Sequence, residues 1–245
     1  MFLAIDIGNT NITCGIFRGN RIIKKFNIPT KKFSQKKLKQ SIGKTTIRDS
    51  IICSVVPTAT KIVERAIKSV ISGKVYILGR NIKASIKNLY RSPREVGQDR
   101  LVNAYAGVSL YGAPLIIIDF GTAITFDVIS KRAEYLGGMI IPGLRISLET
   151  LTEKTALLPR LELAMPKELI GRDTKNSMLS GIVYGFAALS DDLTSRIKQK
   201  IGERAKVVVT GGNVDLISRY CKKFDYTNKD LTLLGLNMIY LKKIS

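Results

Sequence analysis

The sequence contains no histidine. That removes Ser-His-Asp and Cys-His catalysis, and every zinc site that needs imidazole. A general base must then be Asp, Glu, Lys, Tyr or Cys, with carboxylates the strongest candidates. Cysteine is scarce as well: Cys14, Cys53 and Cys221 lie far apart, with no CxxC. An odd, scattered set argues against a disulfide framework and against a thiolate metal site. Long apolar runs are missing. The longest, such as residues 114–118, are strand-sized and too short to span a bilayer. The first apolar run meets Asp6 almost at once and has no cationic segment before it. No signal peptide is expected, and the protein is expected in the cytoplasm, off membranes.

Acidic residues are also in short supply. There are 19 Asp and Glu against 40 Lys and Arg, a formal net charge of +21. Such a balance attracts phosphate and raises the question of nucleic-acid binding. The basic residues are spread along the chain, with pairs at Lys24-Lys25, Lys31-Lys32, Lys36-Lys37 and Lys242-Lys243, and no basic stripe is interleaved with aromatics. This spread fits drift toward Lys, Ile and Asn codons, so nucleic acid is not expected as a partner. Part of the charge can help gather anionic substrates.

What remains is an ordinary globular composition, 45% apolar and 24% charged over 245 residues, enough for one large domain or two lobes. Residues 2–17 read as strand, tight turn and strand, and 21–28 as a third strand. Helical spacing covers 34–42, 59–71 and 98–111, with strands at 50–56 and 74–78. The pattern then restarts. Strands are expected over 115–119, 124–129, 134–141 and 206–210. Helices are expected over 144–151, 176–201 (one or two joined), 214–221 and 231–244. FLAIDIGNTNITCGIF at the start matches LIIIDFGTAITFDVIS from Leu115. The period is too long for a solenoid and fits a duplicated domain with mixed α/β sheets. The expected lobes are residues 1–113 and 114–245, with the last helix free to pack across to the first lobe.

Each copy carries Asp, any residue, Gly and a small polar residue at a strand end: Asp6-Ile7-Gly8-Asn9 and Asp119-Phe120-Gly121-Thr122. Glycine lets the backbone turn tightly beside a ligand. Exposed N–H groups with Asn and Thr side chains can hold phosphate oxygens, and each Asp can approach a cation that bridges them. Either turn alone could be an ordinary hairpin; the same turn at equivalent places in a duplicated fold points to function. Gly43-Lys44-Thr45 has the look of a Walker A ending, but the segment before it is polar and helical, so it is read as a helix end. Gly97-Gln98-Asp99-Arg100 stands at a helix start, where an anion is favoured. There Arg100 can pair with a carboxylate and Asp99 can accept a hydroxyl proton. Taken alone it could be a simple cap.

The glycine turns resemble those of the actin, hexokinase and Hsp70 superfamily. With YRSPREVGQDRLVNA at residues 90–104, LGGMIIPGL, TALLP, GRDTKNSMLSG and VVVTGG, the ordered set resembles the type III pantothenate kinases from Phe2 to about Gly212. The resemblance implies a duplicated actin-like (ribonuclease H-like) α/β fold: two lobes, each a mixed sheet flanked by helices, with ATP in the interlobe cleft. It implies ATP-dependent phosphorylation of pantothenate to 4′-phosphopantothenate, the first step of coenzyme A biosynthesis. Mg²⁺, a monovalent cation (K⁺ or NH₄⁺) and a homodimer come with it.

Residue roles follow from the same resemblance. Asp6, Ile7, Gly8, Asn9, Thr10, Asn11, Ile12 and Thr13 match the phosphate-binding loop for ATP. Thr122 matches a second ATP contact, Gly211 and Gly212 the adenosine-side turn, and Asp119 the monovalent-cation position. Tyr90, Gly97, Gln98, Asp99 and Arg100 match the pantothenate pocket, with Asp99 as proton acceptor. Thr174 matches a pantothenate contact supplied by the partner subunit. Gln98 stands where the family commonly has Ala, which bears on the shape of the pocket. Asp127 is open to two readings, an acid standing behind the site or a strand-end hydrogen-bond acceptor, with the latter favoured. Residues 138–142 are apolar and suit either an interface or the core. Another actin-like kinase, an acyl-phosphate enzyme, or a regulator without catalysis remain as other readings; Asp6, Asp99, Arg100 and Asp119, all in place, favour an enzyme.

Overall fold

The computed structural model describes residues 1–244. The chain forms two compact units. The first holds Met1–Leu110 and the segment from Asp230 onward, and the second holds Tyr111–Lys229.

In the first unit, apolar runs broken by short polar turns give three antiparallel strands: β1 (Phe2–Ile7), β2 (Asn11–Arg18) and β3 (Arg21–Pro29). β4 (Asp49–Ser54) lies parallel to β1, and β5 (Val75–Ile77) parallel to β4, giving the order β3-β2-β1-β4-β5. The first five residues of β4 are all buried, as expected of a strand covered on both faces. Leu3, Ile5 and Ile7 pack with Leu38 and Ile42 of α1 (Gln35–Ile42) and with Val63 and Ile67 of α2 (Pro57–Lys68). Phe2 and Ala4, on the opposite face, pack with Val102 of α3 (Gln98–Tyr111) and with Leu233, Leu236 and Tyr240 of α7 (Leu231–Ile244). A two-residue strand, β6 (Lys87–Asn88), lies on the way to α3.

Two contacts seat α7 in this unit. A Cβ at Gly235 would fall 2.7 Å from Val102 Cγ1 and 2.9 Å from its carbonyl oxygen, so only glycine lets the helix come this close to α3. The Tyr240 ring stacks on Phe2 at 3.8 Å between centroids, and its hydroxyl donates to Asp49 at 2.8 Å. Such an aromatic pair contributes about 0.5–1.5 kcal/mol beyond its area burial.

The second unit repeats the scheme. β7 (Leu115–Phe120), β8 (Ala123–Ile129) and β9 (Glu134–Pro142) form an antiparallel meander. β10 (Lys206–Thr210) runs parallel to β7, and β11 (Tyr226–Thr227) parallel to β10. Ile116, Ile118 and Phe120 pack beneath α4 (Leu144–Lys154), α5 (Thr174–Ile201) and α6 (Val214–Ile217). The duplication holds at the level of register. Asp6 faces Thr13 on one side and Cys53 on the other; Asp119 faces Thr125 and Thr210 in the same way. The fold is α/β and actin-like, two mixed sheets each flanked by helices.

Some element bounds differ from the sequence expectation. The stretch 174–201 is one helix, capped by the Asp173 side chain on the Asn176 N–H. α4 runs to Lys154 rather than 151. α6 stops at Ile217 instead of 221: the chain passes into a tighter turn in which the Tyr220 N–H closes on the Ile217 carbonyl at 2.9 Å, and beyond it the Asp191 carboxylate accepts the N–H groups of Lys222 and Lys223 at 2.9–3.1 Å. Gly43 is a helix end: its φ is 70° and its N–H closes on the Lys39 carbonyl at 2.9 Å. Asp127 lies within β8, fully buried, accepting from the Tyr135 hydroxyl at 2.8 Å and from Thr125 Oγ1 at 3.2 Å.

Candidate active site

In the first unit, β1 carries Asp6 to the edge of the glycine turn. Its neighbours Ile5 and Ile7 point into the core beneath α1 and α2, so the alternation of the strand turns Asp6 to the face that α3 and α7 cover. The turn is closed by the Gly8 N–H on the Asn11 carbonyl at 2.9 Å, and leaves Asn9, Thr10 and Asn11 exposed. Thr30, immediately after β3, braces it: its Oγ1 donates to the Gly8 carbonyl at 2.7 Å and its N–H to the Thr10 carbonyl at 2.9 Å. Ile7 and Ile12 are buried anchors of the loop, and Thr13 stands opposite Asp6.

The start of α3 brings the second carboxylate to the same face. Asp99 lies in the first turn, and its Oδ1 accepts the Arg100 N–H at 2.9 Å. A side chain on Gly97 would collide with that oxygen. Burial pushes the Asp99 carboxyl above its usual range, opposed in part by the Arg100 N–H and charge. Cys53 reports on both carboxylates. Burial drives its thiol well up, and the charges of Asp6 and Asp99 add to the effect. Asp6, Cys53 and Asp99 therefore share one electrostatic neighbourhood.

Arg100 is buried, and the Gln98 side chain lies over Gly79, whose φ is +77°. Tyr90, half-buried, stands in the loop that leads to α3, its N–H held by Asn88 Oδ1 at 2.9 Å.

In the second unit, Asp119, Thr122 and Gly211 come together. Gly211 has φ +100°, and a Cβ there would fall 2.6 Å from the Phe120 backbone and collide with the Asp119 carboxylate. Its neighbour Gly212 opens onto free space. Asn213 fastens this turn to β7 through its N–H and Nδ2 on the Phe120 carbonyl, at 3.1 and 3.3 Å. Gly143 closes the other side, its N–H on the Thr122 carbonyl at 3.1 Å and no room for a side chain. Thr174 is the exposed first residue of α5, beside the Asp173 cap.

Thr30, Gly79, Gly143 and Asn213 were not singled out from sequence. Only Pro142-Gly143 carried a visible signal, as a break after an apolar strand. The donor set is a loop of backbone N–H and hydroxyl groups with single carboxylates. Among the described residues, no three acidic or thiol side chains gather as a metal cage.

The profile of the family "Type III pantothenate kinase" matches residues 2–196. The type III pantothenate kinase of Agathobacter rectalis is 39% identical over 254 residues, covering 99% of this chain and 98% of the relative. Among solved structures, a protein described as a Baf family transcriptional activator from Campylobacter jejuni superposes with a TM-score of 0.65 at 18% identity, covering 99% of this chain and 98% of that one. A protein described as a 2-dehydro-3-deoxygalactonokinase from Sinorhizobium meliloti gives 0.60 at 11%, with 99% of each chain covered. These two likenesses speak for the fold alone. The family match and the full-length identity go further: the chain belongs to the type III pantothenate kinase family.

Proposed function

We propose that the protein transfers the γ-phosphoryl group of ATP to the primary hydroxyl of pantothenate, giving 4′-phosphopantothenate for coenzyme A synthesis, with Asp99 as the base. Membership of the family supports the reaction. The observation that supports the base is the carboxyl of Asp99, raised by burial, oriented by the Arg100 N–H and given room by Gly97. A carboxylate of raised pKa is a better proton acceptor than one in water.

In this reading the loop from Asp6 to Thr13 takes the ATP phosphates through backbone N–H groups and the exposed Asn9, Thr10 and Asn11. Thr122 makes a further ATP contact, and the side-chain-free edge at Gly211 and Gly212 suits a flat base. Asp6 suits Mg²⁺ and Asp119 a monovalent cation, K⁺ or NH₄⁺. One carboxylate at each strand end suits an ion that takes much of its coordination from water and phosphate oxygens. Such ions supply positive charge beside the phosphates. Arg100 and Tyr90 hold pantothenate, and Asp99 takes its hydroxyl proton as the oxygen attacks in line. Catalysis of this kind is chiefly positioning and charge stabilisation.

A homodimer is part of the proposal. In the second unit Leu157 is 92% exposed and Ile170 78%. Ile140 of β9 also faces outward, while Met139 and Ile141 pack on the core. Apolar surface of this kind suits a subunit interface, and Thr174 would reach pantothenate from the partner. Among the described residues no helix is long and apolar enough to cross a membrane, and we place the enzyme in the cytoplasm. The test is pantothenate-dependent ADP release with and without K⁺ or NH₄⁺. Release that needs pantothenate and falls without both ions supports the reading. No pantothenate dependence sinks the reaction, and indifference to both ions sinks the role of Asp119.

A further inference from the structure

The basic residues are spread along the chain, but the acidic ones are not. From Ile7 to Arg48 there are eleven Lys and Arg and no Asp or Glu. At 19 acids in 245 residues, a stretch of that length would hold about three. Codon drift enriches lysine everywhere; it gives no reason for one stretch to lose its acids.

The fold collects this stretch on one side of the first unit. It forms β2, the edge strand β3, a single turn (Thr30–Lys32) and α1. Leu38 and Ile42 seat α1 against Phe26 and Ile28 of β3, so Lys36 projects outward with Lys37 and Lys39 on its flanks. Lys24 stands opposite Ile16, on the sheet face that α1 covers. All eleven cations are exposed. Lys25 pairs with Asp230, and Arg48 lies 3.7 Å from Asp49. The other nine make no ion pair among the described residues.

The chemistry of this face selects its partner. Its aromatic side chains are committed to the core: Phe17 is buried, and Phe26 and Phe33 pack inward. Nothing is left to stack on unpaired bases, which single-strand binders need. Among the described residues of the stretch, Ile23 is the one exposed large apolar side chain, too little to anchor in a bilayer interface. Unpaired lysines on a solvent-facing helix and strand suit phosphates at the surface of a duplex, contacts that carry no sequence information.

We propose that this face binds the phosphate backbone of double-stranded nucleic acid without regard to sequence, as a second activity separate from phosphoryl transfer.

The test uses the full-length protein and a labelled DNA duplex of arbitrary sequence, titrated by anisotropy at several salt concentrations. Each phosphate neutralised contributes about −0.9 to the slope of log K against log salt. The triple variant Lys24→Glu, Lys36→Glu, Lys37→Glu is expected to make the slope shallower by about three and to weaken binding at least about tenfold at about 0.1 M salt. Its pantothenate-dependent ADP release is expected to persist, which shows that it folds. A control triple, Lys131→Glu, Lys167→Glu, Lys200→Glu, changes net charge equally in the second unit and is expected to alter binding less than about threefold. Equal losses in both triples would assign the effect to net charge and overturn the proposal. So would absence of duplex binding by the parent protein at low salt, or binding to phosphatidylserine vesicles but not to duplex.

Discussion

Gly97 and Asp99 are sterically paired: a side chain at residue 97 would strike the Oδ1 atom that the Arg100 N–H holds at 2.9 Å. Gly97→Ala must displace either the carboxylate or the helix start. A misplacement of about 1 Å in a reacting group costs roughly a hundredfold. The expected result is a fall in kcat of that order, with the KM for ATP little changed. Parent-like kcat in a folded Gly97→Ala protein would remove the positional argument for Asp99.

Asp99→Asn keeps an Oδ1 to accept the Arg100 N–H but cannot take a proton. Turnover is expected to drop by about 10²–10⁴-fold. Stability is expected to move the other way. The folded-state pKa of Asp99 lies above its ordinary value, so its ionised form opposes folding as pH rises through that pKa. At neutral pH the variant should therefore melt at a higher temperature than the parent. Below the ordinary aspartate range both forms are neutral and the difference should vanish. A lower melting temperature at neutral pH contradicts the burial argument.

The acid limb of kcat/KM provides a separate reading of the same group. A base must be deprotonated, so activity is lost as pH falls through its pKa. Because burial raises that pKa, the limb is expected above the ordinary aspartate value. A limb at or below that value would point to a solvated carboxylate elsewhere.

Thr30 is expected to matter although it lies outside the glycine motif. Thr30→Val removes the Oγ1 bond to the Gly8 carbonyl but keeps the N–H bond to the Thr10 carbonyl. The loss is about 1 kcal/mol of local order. It should appear as a several-fold rise in the KM for ATP with kcat largely kept. An unchanged KM would show that the turn holds its shape without the brace.

The parts of this structure legible in the sequence are those whose signal is local. Asp6-Ile7-Gly8 and Asp119-Phe120-Gly121 announce themselves because an apolar strand, a carboxylate and a glycine follow in immediate succession. The helix starting at Gln98 is legible from its spacing, and Asp99 from its place in the first turn. The missing parts depend on distant partners. Nothing near Lys222 signals that its N–H will be held by Asp191, thirty-one positions away. Nothing near Thr30 signals that it will brace Gly8, and the packing of Gln98 over Gly79 joins a helix start to a turn nineteen positions away. Cys53, read from sequence as one of three scattered thiols, gains meaning only when β4 sets it opposite Asp6.

The seat of α7 beside β1 also orders events during synthesis. The second unit, Tyr111–Lys229, interrupts the first, whose final helix is made only afterwards. On the ribosome, the second sheet can close while the first still shows Phe2, Ala4 and Phe17 to solvent. The bond from Tyr240 to Asp49 spans 191 positions, so the part of that face beneath α7 stays uncovered until the second unit has been made. The fourteen-residue α7 then acts as a latch that covers this sticky surface last, and a truncated product lacking it would be an early target for chaperones and proteases.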